Sequence, residues 1–133
     1  LFGGMQAGVR DYLIWMDERE THRRAYRSFF EQWDVLLAPV SPVLAFPHDD
    51  RPFPERVLSV NGATIPYGRL GVYPSLATHA GQPATAFPVG RSRAGLPIAL
   101  QAIGPYLEDR TPIRFAQLLA REIGGYVPPA GYD

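Results

Sequence analysis

Ala84-Thr-Ala-Phe-Pro-Val89 and Leu96-Pro-Ile-Ala-Leu-Gln-Ala-Ile-Gly104 decide the fold. Each is a short apolar run, and the stretch between them, Gly90-Arg-Ser-Arg-Ala-Gly95, holds the polar and Gly residues of a turn. The second run carries one polar residue, Gln101. A run so nearly continuous suits an interior strand covered on both faces. Outward toward the C-terminus, Glu108 and Asp109 place negative charge where a helix begins, and Pro112 is tolerated in its first turn. Ile113, Ala116, Leu119 and Ile123, joined by Phe115 and Leu118, form the stripe expected to be buried, and Gly124-Gly125 ends the helix.

Toward the N-terminus, Leu70 to Ala80 is expected to hold a short helix with Pro74 in its first turn. Before it, Arg56-Val-Leu-Ser-Val60 and Ala63-Thr-Ile65 flank Asn61-Gly62, the preferred pair of a two-residue type I′ hairpin. Pro39 to Pro54 holds five prolines and reads as an extended excursion, and Asp34 to Ala38 as a buried strand stopped by Pro39. From Arg10 to Trp33 there is neither Gly nor Pro, which leaves room for one long helix. Its apolar residues, among them Tyr12, Trp15, Tyr26, Phe29 and Phe30, recur at helical steps near both ends. The middle, with Glu20, Arg19, Arg23 and Arg27, is expected to be a solvated face. The whole is one domain over residues 1–133, of α/β class: a mixed sheet with flanking helices.

Composition prunes the chemistry. The 133 residues carry 13 basic and 13 acidic side chains, and every basic one is Arg. Without Lys, a P-loop lysine, a Schiff base and a Ser-Lys catalytic pair are excluded for this chain alone. Without Cys, disulfides and thiolate metal sites are excluded as well. Neutral charge argues against nucleic acid as a partner, since binding by counterion release needs a basic surface. No apolar run reaches the roughly 20 residues of a membrane span, and the expected location is cytoplasmic.

His48-Asp49-Asp50 lies in the Pro-rich loop, with His22 and His79 in other elements, so no metal site and no cofactor is expected. Of the five serines, none sits in a Gly-x-Ser-x-Gly elbow, so self-contained serine catalysis is not expected and no catalytic residue is assigned. Gln101 must be hydrogen-bonded if buried, either as a clamp on a neighbouring loop or in a pocket wall. Tyr106 follows the same strand at its carboxyl end, where ligands of α/β sheets gather, and is a candidate pocket residue.

Gly81-Gln-Pro-Ala-Thr-Ala-Phe-Pro-Val-Gly90, Gly95-Leu-Pro-Ile-Ala-Leu-Gln-Ala-Ile-Gly-Pro105 and Glu108-Asp109, in that order, resemble the C-terminal signature of the amidase signature family. Trp33-Asp-Val-Leu-Leu-Ala-Pro39, Ala45-Phe-Pro-His48 and Arg56-Val-Leu-Ser-Val-Asn-Gly62 extend the resemblance over nearly the whole chain. It implies the C-terminal part of the amidase signature fold, in an enzyme that hydrolyses carboxylic amides with two serines and a lysine. No position here matches that Ser-Ser-Lys core: Gly3-Gly4 is followed by Met-Gln, not serines. Ala99 stands where the family often has Gly. Thr78 and His79 stand near a common Asn, which makes His79, with Tyr106 and Gln101, a candidate substrate contact. The expectation is therefore a C-terminal fragment of an amidase, inactive alone. Its partner would be the N-terminal catalytic part or a second copy, with a small-molecule amide as substrate of the intact enzyme. The alternatives are a non-catalytic interaction or binding module derived from an amidase tail, or a small enzyme built on His48, Asp49 and Asp50.

Overall fold

The computed structural model describes residues 4, 6–129 and 131–132. Helix α1 (Val9–Phe30) opens where the Gly8 amide donates to the Asp11 carboxylate at 3.0 Å. Strand β1 (Leu36–Pro39) follows, then the Pro-rich excursion with a single 3₁₀ turn at Phe53–Glu55. Strands β2 (Val57–Val60) and β3 (Ala63–Pro66) form the expected hairpin. Asn61 and Gly62 both take positive φ, 50° and 81°, as a type I′ turn requires. A 3₁₀ segment (Tyr67–Val72) leads into the short α2 (Pro74–Thr78). Strands β4 (Ala84–Arg91) and β5 (Pro97–Ile103) come next, and α3 (Arg110–Ile123) closes the order.

The main sheet runs β1-β5-β4, with β5 interior as its apolar run implied. Both of its pairings are antiparallel, so within the described residues the mixed sheet is represented by an antiparallel one. Proline positions fit this order. Pro39 and Pro88 lie on edge strands, Pro88 beside a bulge at Val89, and Pro97 is the first residue of β5. Phe87 faces Leu100 across the ladder and stacks edge-on against Phe115 of α3, with ring centres 6.0 Å apart. Gln101 and Ile103 point to the opposite face by strand alternation, toward the segment around Tyr73.

Three sequence expectations about burial need correction. The charged middle of α1 is not simply a solvated face: Arg19, Glu20 and Arg23 are half-buried against the rest of the chain, while Tyr12 and Trp15 are exposed. Arginine can do this because its apolar stem packs along neighbouring surface; the Arg23 head keeps polar partners, while the buried Arg19 Nε has none among the described residues. In α3, Ile113, Leu118 and Ile123 of the expected buried stripe are exposed, and the contact with the sheet runs through Pro112 and Phe115. Strand β5 is buried only from Gln101 onward, and Leu96 and Ala99 are exposed.

The core is correspondingly thin. Ala38, Leu58, Ala77, Ala80, Phe87, Ala102 and Ile103 are its buried apolar residues, four of them alanines. The chain exposes 10169 Å². A monomer of 14.8 kDa folded as a self-sufficient unit exposes about 7,000 Å². The excess, about 3,000 Å², is several times the ~800 Å² that one partner gives to a standard interface.

Candidate functional site

At the carboxyl end of β5, Gly104 leaves the sheet under close constraint. Its amide donates to the Pro83 carbonyl at 2.9 Å. A Cβ at this position would stand 2.6 Å from Cδ of Pro112, so only glycine lets the first turn of α3 seat against the strand end. Pro112, fully buried, thereby fixes the corner from which Tyr106 projects. Tyr106 is 47% exposed, and the guanidinium carbon of Arg23 lies 4.7 Å from its ring centre. The Arg23 Nε donates to the Ala80 carbonyl at 2.9 Å, and its Nη1 lies 3.7 Å from Glu20. One arginine thus joins α1, the Ala80-Gly81 corner and Tyr106.

Between the end of α1 and the β5–α3 corner lies a cleft of about 480 Å³, lined by Arg23, Phe30, Trp33, Gln82 and Tyr106 with several carboxylates. Gln82 is buried, and its Oε1 has no donor among the described residues. An unpaired buried acceptor costs about 1–3 kcal/mol, which an N–H donor reaching it would offset. The cleft is concave, part aromatic and part polar, and suited to a small polar molecule. Among the described residues, no serine lines it.

The three expected site residues fall in three different places. Tyr106 lines the cleft. Gln101 lies outside it, and its Nε2 donates to the carbonyls of Pro39 (3.0 Å) and Tyr73 (2.9 Å). His79 lines a smaller hollow on the other side of Ala80, edge-on to His22 with ring centres 4.8 Å apart. Sequence separation hid that pairing, and no local pattern announces it. Arg23 and Gln82 also escaped the sequence reading. Arg23 sits in what looks like a solvated charge run, and Gln82 between two turn residues.

Elsewhere, polar groups serve the backbone. The Ser41 hydroxyl accepts from the Val43 amide, the Ser92 hydroxyl accepts from the Leu96 amide, and the Ser75 hydroxyl donates to the Val72 carbonyl. In the Pro-rich loop, His48 pairs with Asp50 at 3.0 Å, both well exposed. Asp49 is chelated by Arg51. The Arg51 side chain, and then its backbone N–H, hold the Asp49 carboxyl down at about 2. Burial raises the Tyr26 phenol, which donates to the Leu76 carbonyl at 2.7 Å. No described helix is long and apolar enough to cross a membrane.

Against known proteins, residues 3–112 match the family model described as Amidase. A glutamyl-tRNA(Gln) amidotransferase subunit of Alkaliphilus metalliredigens (strain QYMF) is 32% identical over 109 residues, covering 82% of this chain and 20% of that protein. The protein of the same name from Roseiflexus sp. (strain RS-1) is 36% identical over 102 residues, covering 74% and 18%. The chain therefore spans about a fifth of the length of these relatives. Among solved structures, one of a vestigial protein complex, described as revealing the origins of an s-triazine catabolic enzyme, superposes with a TM-score of 0.79 at 24% identity. That match covers 96% of this chain and 27% of the other. A structure described as an amidase superposes with a TM-score of 0.73 at 23% identity, over 92% of this chain and 27% of the other. At these identities the two structures establish the likeness of fold.

Proposed function

This chain belongs to the Amidase family, and on that premise we propose that it is the C-terminal, non-catalytic region of an amidase signature hydrolase. It contributes three strands and one wall of the substrate pocket to an enzyme that cleaves carboxylic amide C–N bonds. The Ser-Ser-Lys machinery belongs to a separate N-terminal part, so the chain by itself turns nothing over.

The observation that carries this reading is the uncovered surface, about 3,000 Å² beyond that of a self-sufficient monomer of its mass. The exposed first half of α1 and the exposed start of β5 are apolar where solvent-facing elements are normally polar. The absence of Lys supports the same reading, because the family's general base has no counterpart here. The span of about a fifth of the relatives' length agrees with it. Tyr106 is the residue offered toward substrate, since it sits at the strand end on the rim of the cleft. Gln101 ties the sheet to its loops through its two hydrogen bonds.

The test is complementation. The chain and a separately expressed Ser/Lys-containing N-terminal part of an amidase are assayed for ammonia release from simple amides, alone and mixed. Activity only in the mixture supports the proposal. Turnover by the chain alone, lost with His48→Ala, overturns it in favour of a small independent enzyme.

A further inference from the structure

We propose that the cleft between the end of α1 and the β5–α3 corner binds a small organic cation of the amidinium or guanidinium class, with planar N–H donors and an aromatic or apolar body. Charge points to it first. Glu20, Glu31, Asp34 and Glu108 line the cleft, against two basic side chains, Arg23 and Arg27. Arg23 is already engaged: its Nε donates to the Ala80 carbonyl, its head lies over the Tyr106 ring, and its Nη1 is 3.7 Å from Glu20. Glu31, Asp34 and Glu108 make no ion pair among the described residues, so three carboxylates stand against the one remaining guanidinium, that of Arg27. A cleft with an excess of one sign of charge concentrates ions of the other.

An orphaned acceptor in the same wall points the same way. Gln82 is 7% exposed, and its backbone is fixed by the N–H it gives to the Ala77 carbonyl at 2.9 Å. Its Oε1 meets no donor among the described residues. The terminal amide of glutamine turns about a soft two-fold torsion, so an N–H donor in the cleft meets that oxygen without backbone movement. An anion has no N–H to give it, whereas a planar cation carries several, and each makes a charge-assisted bond. The aromatic lining of Phe30, Trp33 and Tyr106 completes the fit, because rings attract cations over their faces and pack flat bodies. At about 480 Å³ the cleft has room for a single-ring ligand.

Benzamidine is the probe, compared with benzoate, an anion of the same shape, and with neutral benzyl alcohol. Each is titrated into the full chain and followed by calorimetry and tryptophan fluorescence; Trp33 lines the cleft, and Trp15, the other tryptophan, does not. Complementation measures turnover, whereas benzamidine binding belongs to this chain's own cleft, so the amidase reading and the cation site fail separately. The expected result is one equivalent of benzamidine with a Kd of about 0.1–1 mM, the range open to so small a ligand, and roughly tenfold weaker binding of the other two. Gln82→Leu weakens benzamidine by about tenfold or more, yet melts at or above the parent's temperature, because it removes an unpaired acceptor and breaks no structural bond. Glu108→Gln and Asp34→Asn, at exposed positions on the rim, each weaken it about two- to threefold. Circular dichroism verifies the fold of each variant. Benzoate binding as tightly as benzamidine, Gln82→Leu melting well below the parent, affinity unchanged in all three variants, or no saturable benzamidine binding up to about 10 mM overturns the proposal.

Discussion

Gln101→Leu isolates the clamp at the centre of the main sheet. The side chain is 6% exposed and gives two hydrogen bonds, to the Pro39 carbonyl at 3.0 Å and the Tyr73 carbonyl at 2.9 Å. Leucine fills a similar volume, so the packing loss is small and the polar loss dominates. Each bond removed leaves a carbonyl short of a donor, at about 1–2 kcal/mol apiece. The expected cost is about 2–4 kcal/mol out of a total stability of order 5–15 kcal/mol. For a domain of this size that lowers Tm by roughly 6–16 °C. Thermal and urea unfolding followed by circular dichroism read it directly. Gln101→Glu sharpens the result: at neutral pH it sets a carboxylate against two carbonyl oxygens, so its loss exceeds that of leucine and shrinks as the pH drops below about 5. If Gln101→Leu unfolds within about 0.5 kcal/mol of the parent, the two bonds do not hold the sheet to its loops and the reasoning fails.

Other perturbations probe separate joints. Gly104→Ala drives a methyl against Pro112 and is expected to cost about 1–3 kcal/mol, partly recovered in the Gly104→Ala/Pro112→Ala double variant; equal losses in the single and double variants would contradict the contact. Arg23→Ala removes the link from α1 to Ala80 and Tyr106, so amide exchange across α1 should accelerate several-fold while β5 stays protected. Asp49 has its folded pKa depressed to about 2 by Arg51, so its contribution to the Pro-rich loop is present above the unfolded carboxyl value near 4 and lost as pH falls from there through about 2. A carboxyl resonance of Asp49 titrating near 4 would refute the chelate.

Much of the fold was legible in the chain because it is written in local chemistry. Asn61-Gly62 needs two positive φ angles and finds them in the hairpin. Gly124 takes φ 87° just past the end of α3. The near-continuous apolar run at Leu96–Gly104 became the interior strand. What escaped depends on which partner each face meets, and periodicity alone does not carry that. The charge run of α1 looked solvated, yet Arg23 reaches across to a carbonyl and a tyrosine ring. Ile113, Leu118 and Ile123 carry the stripe of a buried helix face but remain exposed. Their pattern fits a larger body whose further surface would cover them. At the candidate site, Tyr106 was found through its place at a strand end. Gln82 and the His22–His79 pair exist only once distant segments meet.

Hydrogen exchange on the chain, with and without the N-terminal catalytic part of an amidase, tests the central claim most directly. If this is the non-catalytic region of a larger hydrolase, the largely exposed segments, Val9–Trp15 in α1 and residues 96–99 at the start of β5, exchange quickly alone. They should become strongly protected in the mixture. Unchanged exchange at both segments, with the chain a stable monomer throughout, would contradict the account.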